Sequence, residues 1–247
     1  MINIVHLFPD QLGLNGERGN VECLQSRLGW AGVESSIHEV SSMAQMPESV
    51  DALFIGSGTL SGALEALAKM QPLTVQLKEL ANAGTPMLAL GLGWEILGRE
   101  ITLLDGKTVP GLGIYPSHSR RIEKRASCEA FGYDQAGNLC VGYANHSAEI
   151  TLLEDSEPLI QLEVGFGNSS ITKASGAPAE GLLYGNLMAA RLNGPLLPLN
   201  PHLADAFLGM MAKNSNFSYV QQSDQAREVD ELASNARIAL QKRLLSQ

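Results

Sequence analysis

From Leu88 to Gly98 the chain reads LALGLGWEILG, an apolar run that ends in a glycine-flanked turn and passes straight into a helical stretch. A strand, a tight elbow and a helix joined in this way form the turn on which hydrolases hold a nucleophile up to its substrate. The centre of this elbow is Gly91, which has no side chain to offer. The local sequence therefore predicts the backbone of a reactive site without its reactive atom.

The rest of the chain is consistent with that elbow. Strand-type and helix-type segments alternate, the order of a mostly parallel sheet with helices packed on both faces. INIVHLF opens as a strand, and Asn20 to Gly32 follows with Val21, Leu24, Leu28 and Ala31 at helical steps before a glycine stop. SSIHEV reads as a second strand, VDALFIGSG as a third that runs into a small-residue loop, and LTVQLKELANAG as a helix closed by Gly84. From Arg99 to Ile150 the pattern changes to short strands and turns, an antiparallel hairpin region. The chain returns through LIQLEVGFGN and GLLYGNLMAARL to a proline-rich turn, NGPLLPLNP, and the helix HLADAFLGMMAKN. After a polar stretch, Val229, Leu232, Ala236, Leu240 and Leu244 recur at helical spacing and predict an amphipathic C-terminal helix over 224–245. The division expected is a domain over 1–214 and a polar linker with that helix over 215–247.

Composition excludes several classes of partner. With 17 basic and 26 acidic residues among 247, the net charge of −9 is wrong for a nucleic-acid or anionic-membrane surface. The one basic cluster, SRRIEKR at Ser119 to Arg125, is short. No apolar run reaches the roughly 18 residues of a membrane span, and the N-terminus lacks a signal-peptide pattern, so a cytoplasmic location is expected. Cys23, Cys128 and Cys140 are an odd number without CxxC spacing, which favours neither a disulfide framework nor a zinc site.

FPDQLGLNGERGN, FIGSG, LALGLGWEILG, VGYANHS, GFGN and NGPLLPLNP occur here in the order found in class I glutamine amidotransferases of the cobyric acid synthase type. Over about Ile2 to Met211 the chain resembles that family, and within it the glutaminase subunits of lipid II isoglutaminyl synthase; the GERGN and GPLLPxNP segments are the specific parts. The resemblance implies a flavodoxin-like α/β fold, no metal and no cofactor. It also implies a heterodimer with a Mur-ligase-like synthetase subunit, which receives ammonia from glutamine and amidates the D-glutamate of the peptidoglycan precursor.

The same resemblance shows what is missing. The family elbow has the pattern Cys-x-Gly-x-Gln, and the register here gives Gly91, Leu92, Gly93, Trp94 and Glu95. Glycine has no atom that can form a thioester. The family's basic histidine precedes the GPLLPxNP turn, and that register gives Asn193, whose amide cannot accept a thiol proton. The oxyanion hole is main-chain: the resemblance implies the N–H of Leu92 and one from Gly56, Ser57 or Gly58. Substrate contacts fall by the same register on Glu95, a carboxylate in place of an amide, and on Arg120 or Arg121, candidates to hold a substrate carboxylate.

Other candidates have ordinary readings. His146 in ANHS and His6 on the first strand read as structural, His118 as a solvated loop residue, and Cys128 and Cys140 as small apolar fillers. Glu95 also suits the first turn of a helix, where the dipole favours an acid. Three functions remain open at this stage. One is a degenerate glutaminase subunit that keeps its partner. Another is a working glutaminase with displaced catalytic residues. The third is a binding module whose old pocket holds glutamine, another small amino acid or a nucleotide-sugar fragment.

Overall fold

The computed structural model describes residues 1–169 and 178–246. The parallel strands are short, and the most deeply buried of them are continuously apolar, as burial on both faces requires. They are β1 (Ile2–Leu7), β2 (Ser35–Val40), β3 (Ala52–Ile55) and β4 (Met87–Leu90), and β3 and β4 have no exposed residue. The second sheet is built from β5 (Glu100–Thr102), β6 (Thr108–Pro110), β7 (Ser117–Asp134), β8 (Leu139–Leu152), β9 (Ile160–Val164) and β10 (Ala179–Glu180). The chain then re-enters the first sheet through β11 (Leu182–Tyr184) and β12 (Leu187–Ala190), and β13 (Leu192–Asn193) pairs with β8. Among the described residues the first sheet has the order β11-β12-β4-β3-β1-β2 and is parallel except for the β11–β12 hairpin.

Helices cover both faces of this sheet. Val21, Leu24 and Leu28 of α1 (Arg18–Trp30) share a core with Ile4, Phe54, Leu88 and Met188. On the opposite face α2 (Leu60–Met70), α3 (Thr74–Asn82) and α4 (Leu92–Leu97) pack on Val5, Leu7, Leu53, Ile55 and Met87. The short α5 (Leu196–Leu199) and α6 (Pro201–Asn214) join the α1 side, and α7 (Asp224–Leu245) follows. No helix among the described residues is long and apolar enough to cross a membrane.

Two elements differ from the sequence reading. The small-residue stretch after β3 is loop only as far as Thr59, whose hydroxyl accepts the Gly62 N–H at 3.1 Å and starts α2. The glycine and serine at its start conceal a buried row of Ala63, Ala66, Leu67 and Met70. The hairpin region is also longer than read: β7 and β8 form one extended antiparallel ribbon, interrupted by a register shift between Arg121 and Ala126.

The two motifs that carried the resemblance act as ties. Glu17 and Asn20 of GERGN are buried at the base of the loop after β3. Glu17 accepts the Ser57 N–H, and burial pushes its carboxyl up to about 8. The Asn20 amide donates to Glu17 while its oxygen accepts the Leu197 N–H at 2.9 Å, so the loop, α1 and the proline turn are held together. Asn200 of PLNP does the same for β8, bonding both the N–H and the C=O of Val141 at 2.9 Å.

The C-terminal helix caps the body of the protein through polar contacts. Arg27 of α1, 1% exposed, holds Asp205 of α6 at 2.6 Å and Asp230 of α7 at 2.7 Å. Arg237 donates to the Leu199 carbonyl at 2.7 Å, and Ala226 and Ala233 are buried. The predicted apolar stripe is split: Leu240 and Leu244 turn inward, whereas Val229, Leu232 and Ala236 face solvent.

Candidate functional site

At the carboxyl ends of β3 and β4, where open α/β sheets collect ligands, lies a cleft of about 320 Å³. It brings together Ser57, Gly58, Gly91, Leu92, Glu95 and Asn193 from the predicted set, with Arg121 from β7. Gly56 is not on its wall; its place is set by close approach, since a Cβ there would lie 2.3 Å from the Leu12 carbonyl oxygen.

The elbow is present in full. Gly91 has φ 50° and ψ −120°, a conformation that costs a side-chain-bearing residue about 1–3 kcal/mol and glycine very little. The space beyond it is occupied, however. A Cβ built on Gly91 would lie 2.3 Å from the Ser57 Oγ and 2.7 Å from its Cβ. That hydroxyl also accepts the Leu92 N–H at 3.2 Å. The main-chain donor expected to face an oxyanion is thus engaged by Ser57, which acts through its side chain rather than its backbone. Sequence register located Ser57 but gave no sign of this, because the contact joins two loops.

Glu95 lines the cleft as a paired group. It does not stand in the cleft as an uncompensated charge: it is 2% exposed, accepts the Ser119 hydroxyl at 2.5 Å and is paired with Arg121 at 3.1 Å. Strand alternation decides between the two arginines. Ser119 and Arg121 lie on the same side of β7 and face α4, whereas Arg120 lies on the other side, exposed and paired with Glu149 outside the cleft. Arg121 reaches the cleft already bound to a carboxylate.

At the base position, the Asn193 amide donates to the carbonyls of Arg191 at 3.2 Å and Tyr143 at 3.3 Å, which fixes it as a donor. His146, read as structural, lies on the cleft wall. Its Nδ1 accepts from the buried Arg191 guanidinium, which has no acceptor of its own, so the imidazole proton sits on Nε2. Burial, then the Arg191 charge, lowers its pKa to about 3. A neutral ring with a protonated Nε2 and an occupied Nδ1 can donate a hydrogen bond but cannot serve as a base. Among the described residues that buried Nε2 has no hydrogen-bond partner.

Among the described residues no cysteine lines the cleft. Burial pushes the thiols of Cys23 and Cys140 up to about 12 and raises that of Cys128, so none is primed as a thiolate. His6 is buried edge-on to Phe54 with ring centroids 5.0 Å apart, and His118 pairs with Glu100 at 3.1 Å on the strand, not in a loop. The residues that sequence reasoning missed are Arg125 and Arg191. The first reaches the cleft because the register shift in β7 breaks the regular pairing beside it, and the second follows β12. The long hairpin and the end of β12 together bring these charges to the cleft.

A parallel sheet with a glycine elbow at its carboxyl edge, flanked by the loop after β3 and the turn before α5, defines a glutamine amidotransferase-type fold. Residues 3–199 match the CobB/CobQ-like glutamine amidotransferase domain, and the chain belongs to that family. It is 26% identical over 208 residues to the lipid II isoglutaminyl synthase (glutamine-hydrolyzing) subunit GatD of Staphylococcus aureus, covering 84% of this chain and 83% of that protein. With the GatD subunit of Streptococcus pneumoniae the identity is 25% over 215 residues, covering 82% and 77%. Among solved structures, a glutamine amidotransferase superposes with a TM-score of 0.59 at 17% identity over 84% of this chain and 98% of that one. A glutamine amidotransferase from Thermotoga maritima gives 0.51 at 9% identity over 98% and 94%. These structural likenesses concern the fold.

Proposed function

We propose that this protein is a degenerate glutaminase subunit: an amidotransferase scaffold that has lost glutamine hydrolysis and is retained for association with a Mur-ligase-like synthetase that amidates lipid II. The observation that carries the reading is the Ser57 hydroxyl 2.3 Å from where a Cβ on Gly91 would be. A nucleophile lost by a single substitution would leave a void of its own shape, whereas here the neighbouring loop has filled the space. Asn193 at the base position and the absence of a thiol from the cleft wall support the same reading. Similarity to the two GatD subunits, over most of both chains, supports the pathway and the type of partner.

Without nucleophile and base, the remaining donors have no oxyanion to stabilise, and binding is the chemistry left to the cleft. Arg125 and the unpartnered His146 Nε2–H favour a ligand rich in acceptor oxygens, which keeps the binding of glutamine or another small amino acid as a second role of the same pocket. The test is made on the purified chain, alone and with the synthetase encoded in its own genome. Ammonia release from glutamine should stay at the uncatalysed rate, a diazo-ketone glutamine analogue should label no residue, and the two proteins should co-elute. Robust turnover abolished by mutating one of the three cysteines overturns the loss of activity. Failure to co-elute overturns the partner.

A further inference from the structure

Away from the cleft, the tip of the long hairpin meets the first turn of α6. Three side chains of different chemistry converge there: Asp134 at the end of β7, Cys140 at the start of β8 and His202 at the second position of α6. Their donor atoms all lie within 4.8 Å of one another. Cys140 Sγ is 3.2 Å from His202 Nε2, and Asp134 Oδ2 is 3.8 Å from the same nitrogen.

That shared nitrogen is informative. In a nucleophile–imidazole–carboxylate relay the thiol and the carboxylate occupy opposite ring nitrogens. Here both face Nε2, so the three atoms surround a point instead of forming a chain. The 3.8 Å separation is also too long for a hydrogen bond. Tetrahedral zinc with bonds of about 2.3 Å to sulfur and about 2.0–2.2 Å to nitrogen and oxygen separates its ligand atoms by roughly 3.3–3.6 Å. Both observed distances lie within about half an ångström of that range.

We propose that Asp134, Cys140 and His202 form a zinc(II) site. A thiolate, an imidazole and a carboxylate are the donor types zinc prefers, and two anionic ligands balance its charge. Each ligand is prepared for the role. Asp134 Oδ1 accepts the N–H groups of Ala136 and Asn138 at 3.0 and 2.8 Å, and among the described residues Oδ2 accepts only the Asn138 amide at 2.9 Å, which leaves it a lone pair. Cys140 is fully buried, which shields the thiolate once its proton has passed to solvent on binding. His202 borders a cavity of about 430 Å³ also lined by Asn138, Asp205, Asp230, Ser234 and Arg237, so one of the three ligands lies beside open space. Among the described residues Arg237 is the one Lys or Arg side chain on that wall, and it donates to the Leu199 carbonyl, while Asp205 and Asp230 are held by Arg27. A metal at this point pins the hairpin tip to α6 and serves a structural purpose independent of the amidotransferase cleft. Cysteine spacing does not reveal it, because His202 is 62 residues from Cys140.

The test uses the full-length chain stripped of metal by a chelator. Cobalt(II) added as a spectroscopic stand-in should bind one equivalent and give the intense visible bands of a tetrahedral site together with thiolate-to-cobalt charge transfer. Zinc should displace it and raise the Tm, whereas magnesium should do neither. Cys140→Ser should abolish the charge-transfer band, and His202→Gln should weaken zinc binding by more than about 100-fold, beyond the 10–100-fold typical of losing a ligand's hydrogen-bond partner. Cys128→Ser should bind as the native chain does. If Cys140→Ser fails to fold, the His202→Gln variant, at a partly exposed position, and the native cobalt spectrum still decide the matter. Absence of stoichiometric cobalt or zinc binding by the native chain overturns the site, as does charge transfer that survives in Cys140→Ser or disappears in Cys128→Ser.

Discussion

Gly91 and Ser57 form a reciprocal pair. Gly91 keeps the elbow's backbone without strain, and Ser57 occupies the volume that a side chain at position 91 would need. A cysteine restored at position 91 therefore meets both a positive φ and a steric overlap. Gly91→Cys should lower the stability by about 1–3 kcal/mol or more, and Ser57→Gly in the same chain should recover part of that loss, as read by urea denaturation. If Gly91→Cys proves neutral, the fit between the two residues is wrong. Restoring a labelled elbow then requires Ser57→Gly together with Gly91→Cys, Glu95→Gln and Asn193→His, because groups that act as a unit do not recover singly. Glu17 offers a second test. Its folded pKa of about 8 lies above the ordinary 4.5, so the folded state holds this proton more tightly than the unfolded chain. The resulting stability is fully present below about pH 4.5 and is lost as the pH rises through 8. Relative to the native chain, Glu17→Gln should gain stability across that window, by at most about 1.4 kcal/mol per pH unit. A pH-independent difference between the two unfolding curves would show that Glu17 titrates normally.

At the scale of elements, the two least legible parts of the sequence are the most informative about the site. The β7–β8 ribbon reads as short strands because its alternation is interrupted near the RIEKR stretch, yet that interruption brings Arg121 and Arg125 to the cleft together. Helix α7 reads as an apolar stripe, yet it docks through a buried arginine between two aspartates. Asp230→Ala removes one of the two partners of Arg27 and should cost about 1–3 kcal/mol. Removing Asp205 as well should cost more than the sum, because the last partner of a buried charge is then lost. A double-mutant cycle by thermal unfolding measures this directly, and strictly additive losses would mean that Arg27 finds water instead. Truncation after Met211 removes Asp230 together with Phe217 and Tyr219, which pack against the α1-side core. We expect it to broaden and lower the unfolding transition. A truncated chain that unfolds as sharply as the native one would assign the helix to a partner.

For the whole molecule, the expected outcome is a scaffold that binds without reacting. Loss of a catalytic set can leave a protease roughly 10³–10⁴-fold faster than water through its oxyanion hole and substrate binding, but here the Leu92 N–H is already engaged by Ser57. Even that residual rate should be absent, and Ser57→Gly alone should not create ammonia release. Periodicity was enough to identify the parallel sheet, most of its helices and the glycine elbow, and the ordered motifs pointed to the family, because short-range spacing encodes local structure and ordered motifs encode a common fold. The resemblance offered Arg120 or Arg121 together, and which of them lines the cleft could not be chosen until β7 was known to be continuous and its alternation could be applied. The Ser57 hydroxyl against Gly91, the Arg121–Glu95 pair, the inward Nε2–H of His146 and the convergence of Asp134, Cys140 and His202 are decided by tertiary structure alone. Each joins residues far apart in the chain, and such distances are determined by how the sheets and helices pack, for which sequence spacing carries no direct measure.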